Sequence, residues 1–288
     1  MRMKAVRQTL QVTKAMNLIS TSKLRRGRRM LEDTEPYFTR IQKSMFDILS
    51  CAEKLDSNFF RRKEPANSRA AIVVITSDKG LAGAYNATLF RYVSDLCEKM
   101  ENPALVLIGA IGHRHYAHSA SDILRQFSFH SRLPTMEDAE EVSEYVISQY
   151  LHGTLREAHI VYTHMYNAIK ILPAEKQLLP LDAEKIQAEL SGAGNARRVK
   201  LHFEFVPSEK DVFDALIPRY VKGIIYGSMV EAYASEHSAR MTAMSQASKS
   251  AEEMLADLQI IYNRARQAGI TQEMAEIIGG SAALIGRN

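Results

Sequence analysis

The sequence predicts an α/β fold class in which two long terminal helices pair as an antiparallel coiled coil and a small α/β domain is inserted between them. Three observations carry this. Residues 219–288 contain no proline, and residues 228–268 contain no glycine either, so a helix runs uninterrupted for about 41 residues, or ~60 Å at 1.5 Å rise per residue. Within it Met244, Ala247, Ala251, Met254, Leu258, Ile261, Ala265 and Ala268 recur at alternating steps of three and four, the seam of a left-handed coiled coil that needs a partner helix. Between the ends of the chain lie short continuous apolar runs, the mark of strands covered on both faces.

Taken in order, residues 3–31 hold no proline and only Gly27, with Val6, Leu10, Val12, Met16 and Ile19 spaced for an amphipathic helix. Pro36 is expected to kink or break it, because proline lacks the N–H that continues the hydrogen-bond ladder. Periodicity resumes through Tyr37, Ile41, Met45, Ile48 and Leu49, so two helical pieces are expected in residues 1–60, before a polar connection containing Pro65. Ala71-Ile72-Val73-Val74-Ile75-Thr76 then reads as a buried strand. It is followed by a glycine-containing loop and by a helix that Asn86 can cap, with Leu89, Val93, Leu96 and Met100 on one face. Leu105-Val106-Leu107-Ile108-Gly109 reads as a second strand, Thr135 and Asp138 as a capping box opening a helix to about Leu151, and Ile160-Val161-Tyr162-Thr163 as a third strand. Pro173, Pro180 and the loop at residues 191–195 mark connections, and Leu201-His202-Phe203-Glu204-Phe205 alternates like an edge strand. The expected division is an N-terminal helix over 1–60, a Rossmann-like α/β domain over 68–206 and a C-terminal helix over 211–288. Below about Gly269 the C-terminal seam is assigned to the N-terminal helix. Beyond it, residues 270–285 form a single apolar tip that needs a sleeve from another protein.

With 288 residues, 46% of them hydrophobic, the chain has ample material for a core. Its net charge of +4 is too small to imply nucleic acid or membrane by itself, but the charge is uneven: residues 1–31 carry nine Lys or Arg and no acid, whereas residues 219–288 carry seven of each sign. This acid-poor, Arg-rich start has the composition of a transit peptide, and the helical pattern continuing beyond it argues for a mature structural element. Cys51 and Cys97 are too far apart in sequence to suggest a metal site or a disulfide framework, and no apolar run is long enough to span a bilayer.

Three stretches suggest chemistry. Gly80-Leu81-Ala82-Gly83 after a buried strand invites a phosphate cradle, but it lacks the third glycine of a dinucleotide fingerprint, and no G-x-x-x-x-G-K-[ST] occurs. His113, His115 and His118 cluster without a nearby Cys, which favours solvated or satisfied histidines over zinc. The basic N-terminal run lacks the interleaved aromatics of a nucleic-acid binder, and a partner with an acidic surface suits it equally well. Shaft or scaffold, enzyme and nucleic-acid binder therefore all stay open on the residues alone.

Several stretches resemble a known family. Lys14-Ala15-Met16 followed by Ser22-Lys23-Leu24-Arg25-Arg26, and the run from Ile261 through Asn263-Arg264-Ala265-Arg266-Gln267-Ala268-Gly269-Ile270-Thr271-Gln272-Glu273 to Glu276-Ile277-Ile278-Gly279-Gly280, resemble the gamma subunit of F-type ATP synthases. Ser77-Asp78-Lys79-Gly80-Leu81-Ala82-Gly83, Gln177-Leu178-Leu179-Pro180-Leu181 and Ser235-Glu236-His237-Ser238-Ala239-Arg240-Met241 lie between them in family order.

The resemblance implies a non-catalytic central rotor shaft, without cofactor or metal. It couples ion flow through a membrane rotor ring to ATP synthesis or hydrolysis at the beta subunits by rotation. The implied partners are three alpha and three beta subunits, an epsilon subunit and the membrane ring. The implied place is peripheral, at the cytoplasmic side of the cell membrane in the bacterial type or at an inner organelle membrane. By the same resemblance Arg266 and Gln267 contact a beta-subunit loop, with Thr271, Gln272 and Glu273 beside them. Lys14, Met16, Lys23, Arg25 and Arg26 face an acidic loop of beta, and Phe203 and Phe205 belong to the foot. Two departures stand out. Val206 occupies a place where the family often has Glu, and the chain begins several residues later than is usual there, which leaves the first helical turn open.

Overall fold

The structure, a computed structural model, describes residues 2–51, 57–60, 68–117, 122–129, 132–167, 170–182, 206 and 208–285. The predicted strand at residues 201–205, the loop at 191–195 and His118 lie outside them. The described elements are α1 (Arg2–Cys51), β1 (Arg69–Ile75), α2 (Tyr85–Lys99), β2 (Pro103–Ile108), α3 (Ala110–Tyr116), β3 (Asp122–Phe127), α4 (Met136–Leu151), β4 (Leu155–Met165), β5 (Ile171–Leu179) and α5 (Glu209–Ile285). The α/β class and the long terminal helices are thus as the sequence predicts. The chain divides into two compact units, residues 20–240 and residues 1–19 with 241–288.

In residues 20–240 a five-stranded sheet has the order β3-β2-β1-β4-β5, with β1 to β4 parallel and β5 antiparallel at one edge. The apolar run of β1 follows from its central place, because strand side chains alternate between faces and both faces are covered. Ile72 and Val74 pack with Leu105, Leu107 and Val161 beneath Leu89 and Val93 of α2. Ala71, Val73 and Ile75 point the other way, into a core with Val142 and Val146 of α4, Met45 and Ile48 of α1, and Phe213, Ile217 and Val221 of α5. The Thr135 capping box forms as expected, with Thr135 Oγ1 accepting from Asp138 N and Asp138 accepting from Thr135 N at 2.9 Å.

Several local expectations are corrected. Asn86 does not cap α2. Its side chain turns back to the loop, where Oδ1 accepts from Ser77 N at 3.2 Å and Nδ2 donates to Ser77 Oγ at 2.7 Å. Pro173 is no connection but sits within β5, opposite Thr163 of β4, which an edge strand tolerates because one side of its backbone has no ladder to complete. Pro36 does not divide the first helix, since α1 is continuous from Arg2 to Cys51. Its neighbourhood shows how: Pro36 is exposed, where water can solvate the carbonyl that loses its N–H partner, and the α1 side chains on either side of it are anchored. The Phe38 ring packs against Gly223 and Tyr226 of α5.

Within residues 20–240, α1 and α5 approach closely where glycines stand. A Cβ at Gly27 would lie 3.2 Å from the Tyr233 ring and 3.4 Å from Ala234 Cβ. As the number rises from Gly27 to Phe38 on α1, its neighbour on α5 falls from Ala234 to Gly223, so the pair is antiparallel.

Residues 1–19 and 241–288 form the second unit, with the same antiparallel sense. Ser248 Oγ donates to Thr13 Oγ1 at 2.8 Å, Asn17 Nδ2 donates to Met241 O at 3.1 Å, and Lys14 Nζ lies 2.7 Å from Glu252. Met244 and Ala251 of the predicted seam are buried here. The upper seam is not: Met254, Ile261, Ala265 and Ala268 are exposed, and so is every residue from 259 to 278. The register explains this, since it sets Arg2 level with about Gln259, and a seam above that level has no α1 residue opposite it. Pairing therefore ends about ten residues before the expected boundary at Gly269.

Candidate interface surfaces

In the unit of residues 1–19 and 241–288, Arg266, Gln267, Thr271, Gln272 and Glu273 all stand on the uncovered part of α5. Their polar contacts are local and helical: Thr271 Oγ1 donates to Gln267 O at 2.9 Å and Gln272 Nε2 donates to Glu276 Oε1 at 3.1 Å. Ile261 (60% exposed), Tyr262, Ile270, Met274, Ile277 (72% exposed) and Ile278 share this segment, an apolar surface far larger than scattered exposed residues account for. Lys14 is exposed and paired with Glu252, Met16 is half-buried, and Val12, Leu18 and Ile19 are exposed on α1.

In residues 20–240 the basic run divides by helix periodicity. Leu24 is buried, Gly27 is buried against α5, Lys23 is half-buried, and Arg25, Arg26 and Arg29 are exposed. Arg28 is exposed as well and reaches Met165 Sδ at 3.8 Å. Phe203 and Phe205 lie outside the described residues. His115 stacks on Phe90 with centroids 3.8 Å apart, and His113 Nε2 is 3.5 Å from Leu107 O, so both histidines belong to the packing of α3.

Sequence reasoning missed a cleft at the carboxyl ends of β1 and β2, lined by Lys23, Asp78, Lys79, Glu236, His237 and Arg240. Arg240 is 6% exposed. Its guanidinium donates to Lys79 O at 3.0 Å, to Gly80 O at 3.2 and 3.3 Å and to His237 Nδ1 at 3.1 Å, and it lies 2.5 Å from Glu236. Burial raises the Glu236 carboxyl above its usual range, against the opposing pull of Arg240. Burial, with the charges of Arg240 and Lys23, lowers His237 to about 3, so the ring is neutral and accepts at Nδ1. Tyr85 completes the cleft by donating to Ala232 O at 3.1 Å. The loop thus presents carbonyls to a cation, and Gly80 is not arranged as a phosphate cradle. A signal for this existed, since Glu236 and Arg240 stand four residues apart, the spacing at which helical side chains of opposite charge pair.

A sequence model of the family described as ATP synthase matches residues 1–284. The ATP synthase gamma chain of Ruminiclostridium cellulolyticum is 39% identical over 285 residues, covering 98% of this chain and 96% of the relative. That of Acetivibrio thermocellus is 35% identical over 286 residues, covering 99% and 97%. In fold, the chain is similar to one in the cryo-EM structure of the Tetrahymena thermophila mitochondrial ATP synthase central stalk and c-ring. The TM-score is 0.60 at 21% identity, over 82% of this chain and 99% of that one. A rotor chain of the Euglena gracilis mitochondrial ATP synthase gives 0.58 at 16% identity, over 93% and 96%. With a match along nearly the whole sequence and relatives above one-third identity, the chain belongs to the ATP synthase gamma-chain family.

Proposed function

We infer that the chain is the central rotor shaft of an F-type ATP synthase, coupling ion flow through a membrane rotor ring to ATP synthesis or hydrolysis by rotation. The observation that carries this is the segment of α5 at residues 259–278, exposed along about 30 Å of helix and carrying large apolar side chains such as Ile261, Tyr262, Ile270, Met274 and Ile277 with no α1 residue opposite them. Three alpha and three beta subunits surround that segment in this reading, with Arg266 and Gln267 against a beta-subunit loop and Thr271, Gln272 and Glu273 one turn further on. Lys14, Met16, Lys23, Arg25 and Arg26 meet an acidic loop of beta. The helices of residues 1–60 and 211–288 act as the shaft, and the body of residues 68–206, through Phe203 and Phe205, meets the epsilon subunit and the membrane ring.

The chain itself catalyses nothing in this reading, and the chemistry belongs to beta. No helix among the described residues is long and apolar enough to cross a membrane, which suits a peripheral place in the complex. The side proposed is the cytoplasmic one of a bacterial-type cell membrane. A shaft with unlike faces biases three equivalent beta subunits toward different nucleotide-binding states, so that each turn changes all three affinities in sequence.

Co-purification with alpha and beta subunits tests the reading. Assembly is expected to slow amide exchange at residues 259–278, which are solvent-exposed in the free chain. Recovery of the chain without alpha and beta, or assembly that leaves exchange at 259–278 fast, overturns it.

A further inference from the structure

Within residues 20–240, one turn of α5 faces a gap that the chain's own side chains do not fill. At Gly223 the Phe38 ring of α1 takes the place a side chain would need, but at Gly227 a Cβ would meet nothing within 4 Å. A groove of about 310 Å³ opens there between α1 and α5, beside Lys176 of β5. Protein interiors are otherwise close-packed, and a space of this size is at the lower end of those that hold small molecules. Leu31, Phe38 and Ile224 give the groove apolar walls. Thr34 also lines it but turns its hydroxyl to its own helix, donating to Met30 O at 2.7 Å.

Three polar residues line the same groove, and one of them is unmatched. Ser228 is 1% exposed, yet its Oγ makes no hydrogen bond of normal geometry among the described residues, which is costly in a buried site. The Tyr162 phenol nearby is committed to Glu231, which also pairs with His164. Lys176 Nζ lies over the Tyr162 ring, 5.4 Å from its centroid. The groove therefore offers an anion, a cation and a hydroxyl in want of a partner.

This combination selects the head group of a ligand. An ammonium would be attracted by Glu231 and repelled by Lys176, a carboxylate the reverse, and either would lose its hydration on entering. A neutral primary carboxamide avoids that cost and matches both signs, since its N–H groups donate to Glu231 and its oxygen accepts from Ser228 Oγ or Lys176 Nζ. A flat ring suits the apolar part, because the missing Cβ at Gly227 lets it lie against the α5 backbone.

We propose that the groove at Gly227 is a binding site for a neutral aryl carboxamide, with its amide toward Ser228, Glu231 and Lys176 and its ring beside Leu31, Phe38 and the Gly227 backbone. The site stands whether or not the chain is a rotor shaft.

The test titrates 3-phenylpropanamide into the full chain, followed by saturation-transfer NMR and calorimetry. Saturable binding is expected in roughly the millimolar range or tighter, as suits so small a ligand. Gly227→Leu, which fills the open space, should weaken it by about tenfold or more without lowering the thermal unfolding midpoint. Ser228→Ala should weaken it by about three- to tenfold, and it carries the test should the leucine variant not fold. 3-Phenylpropanoate and 3-phenylpropylammonium, with the same body and a charged head, should each bind at least about fivefold more weakly. Absence of saturable binding overturns the proposal, and so does binding that both substitutions leave unchanged, which would place the probe elsewhere. A charged analogue that binds as tightly as the amide overturns the choice of a neutral head group.

Discussion

Gly223 and Gly227 stand one helical turn apart on α5, yet a methyl group at each meets a different environment. At Gly223 a Cβ would fall 2.3 Å from the Phe38 ring, and that ring is held between Tyr37, at 5.3 Å between centroids, and Tyr226, at 6.0 Å. At Gly227 nothing lies within 4 Å. Gly223→Ala is expected to destabilise by about 1–3 kcal/mol through overpacking, whereas Gly227→Ala should stabilise by about 0.5–1 kcal/mol through helix propensity. Denaturation midpoints moving in opposite directions would confirm this pair, and a shared direction would refute it. His237 makes the second prediction at this scale. Its folded pKa, about 3, lies below the ordinary histidine value of 6.5, so between those values the unfolded chain binds a proton that the folded chain refuses. Stability from this group is present above pH 6.5 and is lost as pH falls toward 3. Glu236, raised in the fold, contributes with the opposite slope from the ordinary glutamate value of 4.5 upward, and Arg240, Lys23 and Asp78 face the pair. His237→Gln should therefore flatten the stability profile on the acid side of neutrality, measured by denaturant titration at several pH values. An unchanged slope would show that the ring is not the group responsible.

The elements differ in how openly the sequence declared them. β1, β2, β4 and α4 were legible because central parallel strands are covered on both faces and because Thr135 and Asp138 write a capping box into the sequence. β3 and β5 were not. Both are edge strands, β3 with mainly exposed or half-exposed side chains and β5 with a proline, so neither shows a clean apolar signature. Helix α1 was misjudged at Pro36 because local chemistry predicts a break, while the packing of Phe38, Ile41 and Met45 holds the chain helical through it. Since Pro36 is exposed and its ring contributes no core contact, Pro36→Ala should raise stability by about 1–3 kcal/mol by restoring the missing bond to Glu32. A loss of stability in thermal unfolding would mean that the ring itself packs.

At the scale of the whole molecule, the surface that matters most is the one this chain leaves uncovered. Arg266 and Gln267 make no tertiary contact among the described residues, so Arg266→Ala/Gln267→Ala should shift the stability of the free chain by less than about 0.5 kcal/mol. Assembly with alpha and beta, or ATP-driven pumping by the complex, should weaken markedly. Unchanged assembly and pumping would remove these two residues from the interface.

The sequence by itself determined the two long helices, their need for a partner, the buried strands of an α/β domain and, through stretches such as Arg266-Gln267, the family. Periodicity and the absence of helix breakers are local properties, and local properties survive in a one-dimensional reading. Only the tertiary structure decided where pairing ends on α5, because that depends on a register set by contacts such as Thr13 with Ser248, more than two hundred residues apart. It alone also joined Arg240 to the carbonyls of Lys79 and Gly80. Backbone oxygens carry no sequence signature, so a bond from a side chain to a distant carbonyl becomes visible only when the fold brings the two together.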